Sequence, residues 1–169
     1  MNDQLSNDFL FSTVSDVLVG PGTAGQLGEM AGSLGIQRAL VVTDPGIVNV
    51  GLLDSGVDSL KANSIALSIY SDVVADPPES VVMDAVAAAQ AFGCDGVIGY
   101  GGGSSMDVAK LVAVLIKGEQ SLADIYGLDQ IAGGRLPLIQ VPTTAGTGSE
   151  ATMVSIITTG ETTKAGVVS

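Results

Sequence analysis

Residues 96–117 read GVIGYGGGSSMDVAKLVAVLIK, and this stretch decides the fold. It opens on an apolar run, Gly96–Ile98, and passes Tyr100 into three consecutive glycines, Gly101, Gly102 and Gly103. It then sets Val108, Leu111, Val112 and Leu115 at helical spacing. A buried strand that turns through glycine into a helix is the first half of a βα unit in a parallel sheet. At such a turn no Cβ stands before the backbone amides, so phosphate oxygens can approach them, and the helix N-terminus adds partial positive charge. An unliganded tight turn would look similar, but three glycines in a row favour the anion-binding reading. Ser104 and Asp107 have capping-box spacing, which predicts a helix opening at Ser104.

The same alternation extends outward in both directions. Continuous apolar strands are expected at Ala39–Thr43, Ser64–Tyr70 and Pro137–Val141, each ended by a turn signal. Helical stripes fall at Thr23–Leu34, Leu52–Ala62, Glu79–Phe92 and Ser104–Lys117. The fold class expected is α/β: a doubly wound, mainly parallel sheet, with residues 20–169 as its core. Phe9–Val19 is expected to add an edge strand or hairpin, and the tail from Met153 to form two short strands around Thr159-Gly160-Glu161. The last residues, Ala165–Ser169, are apolar and strand-like, which suggests a chain cut short with a further domain beyond it.

Composition excludes several classes. Six basic against 18 acidic residues give a net charge of −12, which repels nucleic acid and anionic membranes. No apolar run approaches the ~18 residues of a membrane span, and the N-terminus MNDQLSND has no signal-peptide character. One cysteine, Cys94, cannot form an internal disulfide, and a cytoplasmic location is the default expectation. With no histidine, the chain has no imidazole base or metal ligand, so no metal site is expected in it.

A second loop, VPTTAGTGSEAT (141–152), follows a buried strand and gathers hydroxyls, glycines and small residues. Its low bulk suits close approach to a flat polar ligand. Asp44 ends another strand, and its sequence supports two readings. It either accepts ribose hydroxyls and repels a 2′-phosphate, or simply opens an Asp-Pro-Gly turn.

The pairing of GGGSSMDVAK (101–110) with PTTAGTGSEAT (142–152), supported by VVTDPGI (41–47) and SDVVADPP (71–78), resembles the iron-containing (group III) alcohol dehydrogenases. Their relatives with the dehydroquinate-synthase-like fold include glycerol dehydrogenases. The resemblance runs from about Gly20 to Lys164. It implies a Rossmann-like dinucleotide-binding half, with Gly102, Gly103, Ser104 and Ser105 on the pyrophosphate of NAD in preference to NADP. It also implies Asp44 on the adenosine ribose, and Thr143, Thr144 and Thr147 along the adenine and nicotinamide side. Lys164 would reach the nicotinamide ribose, and Asp76 stands where asparagine is frequent. Asp107 would act as a cap and as support for the loop.

The resemblance also implies a helical C-terminal domain that holds Fe²⁺ or Zn²⁺, and the 169 residues are expected to stop before it. The chain is therefore expected to bind cofactor without catalytic residues of its own, as part of a homodimer or higher homo-oligomer acting on a small alcohol or aldehyde. The alternative is a stand-alone dinucleotide-binding or assembly module without catalysis.

Overall fold

The computed structural model describes residues 13–160 and 163–168. In chain order the strands are β1 (Arg38–Val42), β2 (Ala66–Tyr70), β3 (Gly96–Gly101), β4 (Gly127–Leu128), β5 (Leu138–Pro142), β6 (Val154–Thr159) and β7 (Thr163–Val168). The α-helices are α1 (Leu27–Ser33), α2 (Pro45–Asn49), α3 (Asp54–Ala62), α4 (Glu79–Phe92) and α5 (Gly103–Lys117). Single 3-10 turns occupy Thr23–Gln26 and Leu122–Ile125.

The central sheet is parallel throughout, in the order β2-β1-β3-β5. Strand alternation divides its core between two faces. Ala39, Val41, Ile98 and Tyr100 pack with Leu27, Ala31 and Leu60 of α1 and α3. Leu40, Val42 and Val97 pack with Val82, Val86, Val108 and Leu111 of α4 and α5. Burial on both faces explains why these strands read as uninterrupted apolar runs. The tail forms a second, small sheet in the order β4-β7-β6. There β6 and β7 pair antiparallel, β4 joins parallel, and Ile157 and Val167 plug into the α4–α5 core.

Several boundaries differ from expectation for local reasons. Ser64 lies in a turn at φ 60°, so β2 starts later than Ser64. The first predicted helix opens as a 3-10 turn, and the five-residue α2 is too short to show a period. The edge strand expected over Phe9–Val19 lies partly outside the described residues, and Thr13–Val19 form no strand. Glu161, within the predicted turn between the tail strands, also lies outside the described residues.

One close approach sets the geometry of the rest. A Cβ on Gly99 would collide with Gln140 Oε1 and stand 2.9 Å from the Ala109 Cβ. Gly99 thus lets α5 lie directly on β3. Gly99→Ala is expected to cost about 1–3 kcal/mol through overpacking, read as a lower urea midpoint at unchanged m-value. Wild-type stability in the variant would contradict the contact.

Candidate functional site

The chain leaves β1 for β2 on one side of the sheet and later places β3 on the other side of β1. The crevice beyond the carboxyl ends of β1 and β3 is therefore a topological switch point, where open α/β sheets take ligands. Asp44 stands on the β1 side and Gly101–Ser105 on the β3 side.

On the β3 side the chain reaches Gly101 at φ 154° and Gly102 in extended geometry as the N-cap of α5. Met106 is the first helical amide with an intrahelical acceptor, the Gly102 carbonyl at 3.1 Å. The amides of Gly103, Ser104 and Ser105 precede it, and no side chain caps the helix. A Cβ on Gly101 would come within 2.7 Å of Ser105 Oγ and 3.2 Å of Asp44 Oδ2, so only glycine fits between them.

The predicted capping box does not form. The helix starts one residue early, at Gly103, which puts Ser104 inside the first turn and Asp107 beyond the position a box requires. Asp107 turns the other way: it accepts the Ser149 hydroxyl at 2.6 Å and the Ile156 N–H at 3.0 Å. Asp107 thus ties the second loop and β6 to α5 and does not cap the helix.

Asp44 is the N-cap of α2. Its Oδ1 accepts the Ile47 N–H at 3.1 Å, with Pro45 in the first turn. Its Oδ2 lies 3.4 Å from the hydroxyl of buried Ser105. The turn reading of Asp44 is realised, while one oxygen still borders the crevice. A cleft of about 570 Å³ is lined there by Asp44, Gly102, Gly103, Ser104, Ser105, Thr143 and Thr144, with Ile47, Val73 and Val74 as an apolar wall.

Of the other predicted residues, Thr143 and Thr144 line the cleft, and Thr147, Asp76 and Lys164 do not. Thr143 is fixed by its N–H, which donates to the Gly101 carbonyl at 2.9 Å. Thr147 faces Gly103, where a Cβ would lie 3.5 Å from the Thr147 methyl, and its hydroxyl donates to Glu150 at 3.2 Å. Asp76 and Lys164 lie outside the cleft lining and pair with each other at 2.5 Å, both side chains more than half exposed. Asp76 adopts φ 50°, a conformation that Asn and Asp tolerate better than most residues.

Sequence reasoning passed over Lys110 as a site residue. Its ammonium donates to Ser149 Oγ at 2.9 Å and to the Val154 carbonyl at 2.7 Å, and lies 3.5 Å from Asp107. Burial pushes its pKa below the ordinary value, against the pull of Asp107 and Glu150. A lysine and an aspartate three apart in a mostly apolar helix were the available signal.

Residues 15–169 match the sequence profile described as iron-containing alcohol dehydrogenase. The chain belongs to this family. Long-chain-alcohol dehydrogenase 1 of Geobacillus thermodenitrificans is 42% identical over 149 residues, covering 86% of this chain and 38% of that protein. Sulfoacetaldehyde reductase of Bilophila wadsworthia is 33% identical over 162 residues, covering 95% and 42%. Among solved structures, a 1,3-propanediol oxidoreductase superposes with TM-score 0.92 at 30% identity, covering 96% of this chain and 43% of that one. The NADH-dependent butanol dehydrogenase A of Thermotoga maritima gives 0.88 at 35% identity, covering 96% and 41%. The chain therefore spans about two fifths of the length of the curated relatives it matches.

The metal in the family's name does not fit the described residues. The sequence has no histidine, and among the described residues no group of three or more His, Cys, Asp or Glu side chains could hold a metal ion. A dinucleotide fits better, given uncapped amides, a cradle bare of Cβ atoms and a cleft of ordinary ligand size. Among the described residues no helix is long and apolar enough to cross a membrane.

Two outcomes follow from the charges. The exposed Lys164–Asp76 pair is screened by solvent, so Lys164→Ala is expected to change unfolding free energy by less than about 1 kcal/mol; a larger loss in urea titration would contradict this. The lowered pKa of Lys110 means that, between it and the ordinary 10.5, the unfolded chain holds more protons. This group's contribution to stability is therefore full above 10.5 and is lost as pH falls through the lowered value. Urea titrations of wild type and Lys110→Met from about pH 8 to about pH 10.5 should show the difference moving in favour of wild type. A flat difference would refute it.

Proposed function

We propose that this chain is the nucleotide-binding half of a metal-dependent NAD(P) alcohol dehydrogenase, which interconverts alcohols with aldehydes or ketones by hydride transfer. The observation that supports this most is the uncapped start of α5 facing Asp44 across the switch-point crevice. In this reading the Gly103, Ser104 and Ser105 amides donate to pyrophosphate oxygens, assisted by the partial positive charge of the helix N-terminus. Gly102 keeps the approach open. The Asp44 carboxylate accepts ribose hydroxyls and repels a 2′-phosphate, which favours NAD over NADP.

The hydroxyls of Thr143, Thr144 and Thr147 border the adenine and nicotinamide side, and Ile47, Val73 and Val74 offer the bases an apolar wall. Lys164 would exchange Asp76 for the nicotinamide ribose, an exchange made inexpensive by the exposure of the pair. The bound nicotinamide supplies the hydride donor or acceptor. The NADH dependence in the name of the Thermotoga maritima relative agrees with the choice of NAD. Because the donors for Fe²⁺ or Zn²⁺ are not among the described residues, we assign cofactor binding without alcohol turnover to the chain alone.

Fluorescence titration of the 169-residue chain tests this reading. NADH should bind saturably, NADPH about tenfold more weakly. Ser104→Trp should abolish binding by filling the phosphate turn. Asp44→Ser keeps an N-cap oxygen but removes the charge, and should bring the two affinities within about threefold. A folded chain that binds neither nucleotide would sink the proposal.

A further inference from the structure

Strand β6 lies at the edge of the second sheet, paired on its inner side with β7. The outer row of backbone groups on such an edge needs partners. Among the described residues no strand pairs along that row, and a single isolated bridge joins Thr158 to Pro78. The Val154 carbonyl accepts from the Lys110 ammonium at 2.7 Å, the Ile156 N–H donates to Asp107 Oδ2 at 3.0 Å, and the Thr158 N–H donates to the Pro77 carbonyl at 2.9 Å. Two charged side chains of α5 thus stand in for a neighbouring strand.

The same two side chains grip the loop that precedes β6. The Ser149 hydroxyl donates to Asp107 Oδ1 at 2.6 Å and accepts from Lys110 at 2.9 Å. With Val154 and the contact to Asp107, all three ammonium protons of Lys110 have acceptors. Ser149 is the sole buried residue of Pro142–Thr152, so beyond the Thr143 N–H bond to Gly101 at its start the loop is anchored to the body of the domain at this point. Desolvating an ammonium and a carboxylate is costly, and apolar side chains would fill the space with less penalty. Holding two elements in fixed relation is what the ion pair adds.

We propose that Lys110 is a positioning residue for the nucleotide site. Acting through Ser149, it holds the Thr143–Thr152 loop against the helix whose N-terminus carries the phosphate-facing amides. This rests on the nucleotide reading above and extends it to a residue outside the cleft lining. A ligand that uses both the α5 amides and the loop hydroxyls depends on this spacing, whereas one that uses the amides alone does not.

The test compares NADH with inorganic pyrophosphate in wild type and Lys110→Met. NADH is followed by fluorescence, pyrophosphate by amide chemical shifts, and folding by urea titration. Loss of charge-assisted hydrogen bonds should weaken NADH by about tenfold or more, while pyrophosphate affinity stays within about twofold. A folded Lys110→Met with wild-type NADH affinity overturns the proposal, as does a parallel fall for both ligands, which would mark a general structural lesion. Should Lys110→Met lose cooperative unfolding, Ser149→Ala decides by the same criteria, because it cuts the loop from the pin and leaves the Lys110–Asp107 pair in place. Failure of the wild type to bind NADH overturns the nucleotide reading and this proposal together; NADH binding by wild type with no change in the folded variant overturns this proposal alone.

Discussion

The contact between α5 and β3 is the constraint on which the rest of the domain depends. At Gly99 the helix lies against the strand backbone with the Ala109 methyl as its near neighbour. A helix seated this close can follow its strand only through a turn without side-chain bulk, which the glycines at 101–103 provide. Because Gly102 stays extended, the helix begins at Gly103 with no side chain folded over its first amides. The free donors at the carboxyl edge thus follow from how β3 hands the chain to α5. The parallel sheet supplies the other half, since Asp44 leaves β1 at the same edge, one strand away.

The second sheet shows how a short antiparallel piece is attached to a parallel one without extending it. Its buried side rests on apolar contacts of Ile157 and Val167. Three backbone groups of its free edge find partners in an ammonium, a carboxylate and the Pro77 carbonyl. The last of these draws Asp76 and Pro77 toward β6 and so brings Asp76 within reach of Lys164 on β7. Residues far apart in the chain become neighbours because one strand edge had to be satisfied.

Much of this was legible in the sequence, and what was not has a common cause. The strands and long helices were visible because both sheet faces are buried, so apolar runs and helical stripes mark them directly. The glycine turn and the Thr143–Thr147 loop were visible because small residues cluster there directly after an apolar strand. Asp44 was ambiguous, and the structure explains why: its two oxygens serve different sides, one capping α2 and one facing the crevice. Ser104 and Asp107 misled because a capping box is defined by spacing, while the true helix start was fixed by the extended Gly102. The Lys110 network could not be read locally, since Ser149 and Val154 lie 39 and 44 residues away. Two-residue β4 likewise exists only through its pairing with β7.

Charge makes the bare glycine turn more important still. The chain carries −12, and the residues lining the cleft include Asp44 but neither lysine nor arginine. Lys110 is held in its network, and Lys164 lies outside the lining, paired with Asp76 and assigned above to a ribose and not to the phosphates. On the nucleotide reading, an acidic domain must therefore bind an anionic ligand without a cation in the lining. Repulsion from distant carboxylates is damped, because screening at physiological salt reaches only about 8 Å. Attraction must then come from contact: amides aligned on the ligand, with the helix partial charge confined to its first turn. Such donors act only at hydrogen-bond distance, so any Cβ that holds the phosphate away removes them entirely. A lysine-based site could accommodate a displaced ligand; an amide-based one cannot. The absence of side chains at 101–103 is in this sense the chemical content of the site, and the second loop, held by Ser149, has to be placed to match it.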